Sequence, residues 1–135
     1  MDLEKRIGFI FTVILALFNG YVCSGSAGKL MLTDLTCDDR YNPVGIESPH
    51  PRLGWIILAE HGGVKQTAYR ILVSDDPEML KAEKGNVWDS GKINAGSSIQ
   101  VPYGGNPLAP AKTYYWQVKV WDNQGHISDW SESAS

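Results

Sequence analysis

The stretch Thr113–Asp122 constrains this chain more than any other. Tyr114, Trp116, Val118 and Val120 fall on one face at a period of two, and Tyr115, Gln117, Lys119 and Trp121 fall on the other. Alternation of this kind in β-branched and aromatic residues predicts a strand with one buried face. A strand of that composition needs a second layer to close over Trp116, Val118 and Val120.

The approach to the strand carries a second signal. Leu108 and Pro110 precede Tyr114 in a Leu-x-Pro-x-x-x-Tyr lead. That arrangement predicts a tyrosine corner, in which a Tyr near the start of the sixth strand of a sandwich bonds its hydroxyl to backbone a few residues upstream. Further strands are predicted over 29–37 (with a shift near Asp34-Leu35), 52–58, 65–74, 87–93 and 98–103. Leu53, Trp55 and Ile57 share one face of the second. Tyr69, Ile71 and Val73 share one face of the third. Asp76-Pro77-Glu78 predicts a short helix, with Asp76 as its cap and Pro77 at its first position. The segment Asp38–Pro51 holds Pro43, Pro49 and Pro51, so it is expected over an edge or end of the sheets. Asn123-Gln124-Gly125 predicts a hairpin turn, and Ile127–Ser135 the start of a last strand. Together these give about seven short strands, the pattern of an immunoglobulin-like or fibronectin type III-like β-sandwich. The last strand is expected to be truncated at Ser135. That would leave the central strand partly unpaired, in a segment of something longer.

The front of the chain reads differently. Lys5 and Arg6 precede an uncharged apolar run over 7–18, and residues 19–28 are small or polar. This is the layout of a secretory signal peptide with a flexible lead over 1–28, leaving one domain over 29–135. The run is shorter than the roughly 20 residues a bilayer span needs, so no membrane span is expected. Export to the periplasm or the exterior follows. Acylation of Cys23 is the alternative, although Val22 is the wrong size for a lipobox. With Cys23 in the leader, Cys37 has no partner for a disulfide and reads as a small core residue.

The net charge of −3 and the absence of a basic stripe argue against nucleic-acid binding. Asp38-Asp39, Asp75-Asp76 and Asp89 are the carboxylates to weigh for glycoside chemistry, which needs two across a sugar-sized cleft. The paired ones sit beside turn residues and read as caps. His50, His61 and His126 occupy three separate loops, without metal-ligand spacing. Gly62-Gly63 and Gly104-Gly105 lack the Lys-Ser/Thr of a phosphate loop, so no cofactor is expected. Trp88, in Trp88-Asp89-Ser90-Gly91-Lys92, packs under a tight turn or touches glycan or a neighbouring domain. Tyr115 and Trp121 carry the same two readings on the far face of the central strand. Arg70 is placed to stack on Trp121 or Trp130. Trp55, Tyr69, Tyr114, Trp116, Val118 and Val120 are the expected structural core.

Six segments carry a more specific signal: Asn42–Glu47, Pro51–Trp55, Gln66–Val73, Val87–Lys92, Tyr114–Asp122 and Ser128–Glu132. In this order and spacing the chain resembles the N-terminal fibronectin type III-like domain of secreted bacterial α-L-rhamnosidases, from about Leu30 onward. The resemblance implies a non-catalytic sandwich at the front of a multidomain glycoside hydrolase acting on rhamnose-containing plant glycans or glycosides. It also implies that the acidic residues of catalysis lie in a later (α/α) barrel with no counterpart here. The expected partners are the downstream domains of the same enzyme, with a plant oligosaccharide as a further candidate. A free-standing carbohydrate-binding or adhesion module, and an inert remnant, remain the alternatives.

Overall fold

The computed structural model describes residues 29–135. The expected signal peptide over 1–28, its cleavage site and Cys23 lie outside the described residues.

Two three-stranded antiparallel sheets face each other. The first holds β1 (Leu30–Cys37), β2 (Arg52–Ala59) and β5 (Val101–Pro102), in the order β1-β2-β5. The second holds β3 (Gln66–Ser74), β4 (Trp88–Asp89) and β6 (Tyr115–Asp122), in the order β4-β3-β6. Among the described residues one short helix, α1 (Pro77–Lys81), lies between β3 and β4 in the chain. Asp76 caps it by accepting from the Glu78 N–H, and Pro77 sits in its first turn.

The alternation explains the layering. Ile71, Val118 and Val120 are fully buried, as the period of two in β3 and β6 predicts. Trp116, Trp55, Tyr69, Leu53 and Tyr103 join them in one cluster between the sheets. Trp55 meets Tyr69 edge-on, with ring centroids 5.4 Å apart. Burying each of these large side chains stabilises the fold by about 1.5–3 kcal/mol before entropy is counted. β3 and β6 pair along nearly their whole length, from Gln66↔Asp122 to Ser74↔Tyr115. The shift expected near Asp34 is a break in the β1–β2 register between Thr33 and Thr36, where Asp34 takes a φ of 51°.

The tyrosine corner is present. The Tyr114 hydroxyl accepts a 2.8 Å hydrogen bond from the Ala109 N–H. Tyr114 itself is half-buried and packs against the core cluster.

Three sequence expectations need correction. The strand expected over 87–93 shrinks to Trp88–Asp89, because Asp89 and Ser90 turn their side chains to Gly91 and Ile71 backbone. Pairing resumes only at an isolated bridge between Ile93 and Tyr69. The strand over 98–103 shrinks to Val101–Pro102: Gln100 takes a φ of 56°, which breaks the extended run before Val101, and Pro102 has no N–H to add to the ladder. The last segment is not a strand, yet β6 is not left open among the described residues. The N–H groups of Trp116, Val118, Val120 and Asp122 donate to Ala134 O, Ser131 Oγ, Ser128 Oγ and His126 O.

Candidate functional site

The outer face of the second sheet is the best-furnished surface of the domain. β3 and β6 place Arg70 opposite Lys119 and Ala68 opposite Trp121. Trp130 is laid against this face by its neighbours. Ser128 N–H and Ser131 N–H donate to Val120 O and Val118 O, both at 2.9 Å. Their hydroxyls accept from the N–H groups of the same two residues. Each serine therefore grips one β6 residue at two points, and Trp130 projects from between them.

Cations cover the exposed rings. Arg70 Cζ lies 5.8 Å and Lys119 Nζ 5.0 Å from the Trp130 ring centroid. Lys92 Nζ lies 4.9 Å from that of Trp121. Arg70 is itself fixed by a two-point bond to Asp89, at 3.0 and 2.7 Å. The Arg70 hydrogen bond holds the Asp89 carboxyl below the usual carboxylate range, with help from the Gly91 N–H. Arg70 thus stacks on Trp130, one of its two expected partners, while Lys92 takes Trp121. Beside Trp130 lies an open depression of about 600 Å³, lined by Leu80, Lys81, Gln117, Lys119 and Asp129 among others. Gln117 is buried at its base, donating to Leu80 O at 2.9 Å.

The three aromatics singled out as contacts do not come together. Trp88 points inward and meets Tyr103 edge-on at 5.0 Å. Tyr115 and Trp121 are half-buried on the outer face, at opposite ends of β6. Six residue steps along the strand separate them, about 20 Å at roughly 3.3 Å per step. One sugar ring cannot stack on both.

The carboxylates have structural occupations. Asp38 accepts from the Arg52 N–H, and Asp39 from Gln100 Nε2. Asp75 is bound by Asn86 and Lys112, which hold it below its ordinary value. Asp76 caps α1. A glycosidase acid must be held protonated, the opposite of what Asp75 and Asp89 experience. Asp122 was not singled out from the sequence. Its buried carboxylate accepts from the Gln124 and His126 N–H groups and from the His126 ring. Burial pushes it up, but these bonds together bring it below the usual range. His61 and His126 approach to 6.5 Å between ring centroids. Among the described residues no cluster of three or more His, Cys, Asp or Glu could hold a metal. Burial, aided by Asp38, pushes the Cys37 thiol up to about 11, which leaves it unreactive at neutral pH.

The sequence reading also passed over the outer face of the first sheet, where Met31, Ile56 and Leu58 are exposed. The signal was available. Trp55-Ile56-Ile57-Leu58 is an unbroken apolar run within one strand, and such a run puts apolar side chains on both faces.

Known proteins extend this picture. The family described as "Rha78A-like, N-terminal immunoglobulin domain" matches residues 32–135. An α-L-rhamnosidase of Formosa agariphila is 45% identical over 91 residues, covering 67% of this chain and 10% of the relative. One from Streptomyces avermitilis is 38% identical over 102 residues, covering 76% of this chain and 10% of the relative. The crystal structure of Streptomyces avermitilis α-L-rhamnosidase complexed with L-rhamnose superposes with a TM-score of 0.74 at 37% identity, covering 78% of this chain and 10% of that one. The structure of α-L-rhamnosidase from Dictyoglumus thermophilum also gives 0.74, at 33% identity, covering 77% of this chain and 12% of that one. The chain thus spans about a tenth of the length of the relatives it matches. The family model covers most of the chain, and the chain belongs to the Rha78A-like N-terminal immunoglobulin domain family.

Proposed function

We propose that this domain is a non-catalytic structural and docking module of an exported α-L-rhamnosidase, one that acts on rhamnose-containing plant glycans or glycosides. The observation that carries the reading is the occupation of its carboxylates. All five weighed for catalysis are engaged by hydrogen bonds, a helix cap or ion pairs, which supports chemistry carried out in another part of a parent polypeptide. The relatives' names and the tenth of their length that the chain spans support the same division of labour. Export is supported by the charged, then apolar, then small-residue order of residues 1–28.

Deletion of residues 29–135 from the complete polypeptide tests the role. The deletion is expected to lower the thermal stability of the enzyme and leave rhamnose release from a small aryl rhamnoside within a few-fold of the intact protein. Loss of all turnover by a deletion protein that remains folded would contradict it.

A further inference from the structure

The two outer faces of the sandwich are finished differently. On the second sheet, α1 lies over part of the face, and Trp121 and Trp130 are capped by Lys92, Arg70 and Lys119. On the first sheet nothing described covers the β1–β2 pair. Met31 stands directly opposite Leu58, and Ile56 follows at the next outward position of β2. Met31 is 55%, Ile56 50% and Leu58 51% exposed. Ile99, 71% exposed, belongs to the segment whose backbone crosses beside Gly54 on the same strand. Thr33, opposite Ile56, is the polar neighbour, and no charged side chain enters this row of four. An antiparallel sheet facing water ordinarily alternates apolar inside with polar outside. β2 departs from that rule at two successive outward positions.

We propose that this face is a docking surface, and that its occupant is another domain of the same polypeptide, which lays an uncharged apolar surface on Met31, Ile56 and Leu58. The inference rests on the reading of the chain as a module of a larger α-L-rhamnosidase. Size decides between occupants. Four apolar side chains offer on the order of a few hundred Å². A free partner, including a second copy of this chain, needs about 800 Å² on each side for a stable complex. A tethered domain needs much less, because the linker supplies a high effective concentration. The relatives are about ten times the length of the matched segment, so in a chain of that size such a domain is at hand.

The test uses the complete polypeptide carrying Leu58→Cys. Alkylation at residue 58 by a maleimide is followed by mass spectrometry, and rhamnose release from an aryl α-L-rhamnoside is measured on the same sample. The expected result is an active enzyme whose residue 58 reacts at least about a hundredfold more slowly than in the urea-unfolded chain, at every protein concentration. Ile56→Cys repeats the measurement should Leu58→Cys fail to fold. An active enzyme with freely labelled residue 58 overturns the docking face and leaves the rhamnosidase reading standing. Protection that disappears on dilution overturns it in favour of a second copy. A polypeptide that releases no rhamnose removes the rhamnosidase reading, and the proposed occupant with it.

Discussion

Ser131 grips Val118 at two points, its N–H donating to the Val118 carbonyl at 2.9 Å and its hydroxyl accepting from the Val118 N–H at 3.0 Å. Ser128 repeats the arrangement on Val120. Ser128 and Ser131 step by three while Val120 and Val118 step by two, so an ordinary ladder cannot form and the hydroxyls stand in for main-chain carbonyls. Ser131→Ala should therefore leave a buried N–H without a partner and cost about 1–3 kcal/mol. Urea unfolding should show a lower midpoint at unchanged slope. A midpoint equal to wild type would mean that the hydroxyl does not support β6.

Tyr114 and Ala109 give a milder case. Tyr114→Phe removes the acceptor of the Ala109 N–H. Ala109 is exposed, so water can replace the hydroxyl. The expected loss is about 1 kcal/mol, at the low end for an unmade hydrogen bond. Thermal denaturation of the two proteins side by side measures it.

Gly85 is required by space rather than by φ. A Cβ added there would collide with the Trp88 carbonyl oxygen and come within 3.1 Å of the Val73 nitrogen and 3.2 Å of the Leu72 Cα. All three obstacles are backbone, which cannot rotate away. Gly85→Ala should cost about 2–3 kcal/mol, toward the upper end for overpacking, and shift the unfolding midpoint accordingly.

The acid limb of stability should follow Asp122. Its folded-state value lies below its unfolded one, so the unfolded chain takes up protons first as pH falls. The stabilisation is then fully present above the unfolded value of about 3.9 and is lost as pH drops through the folded value. Asp122→Asn should cost about 1–2 kcal/mol at neutral pH, by weakening three bonds to the turn. It should also lose less than wild type between neutral pH and pH 3. Urea midpoints at the two pH values check both signs.

Much of the sandwich was legible because its long strands obey one rule. The inward positions of β2, β3 and β6 recur at a period of two, and Trp55, Tyr69 and Trp116 lie inward as that period requires. Leu108, Pro110 and Tyr114 announced the corner, and Asp76-Pro77 the helix. What was not legible depends on partners distant in sequence. β4 and β5 are two residues each, too short for any period to register. Gln66 is an unremarkable polar residue until the fold brings Trp55 Nε1, Ala95 O and Ser97 O to its amide. The serine clamp has no two-residue rhythm to find. The cations over Trp121 and Trp130 come from three separate segments, so only Arg70 was foreseen. The outer face of β1 and β2 was readable in Ile56 and Leu58, but a sandwich expectation directs attention inward.

The proposed division of labour between this domain and a parent enzyme is tested most directly by incubating the purified 135-residue chain with an aryl α-L-rhamnoside and following free rhamnose. The expected result is release no faster than in buffer, from a protein whose circular dichroism shows folded β-sheet. Rhamnose release that grows in proportion to the concentration of that folded protein would contradict the assignment of catalysis to another domain.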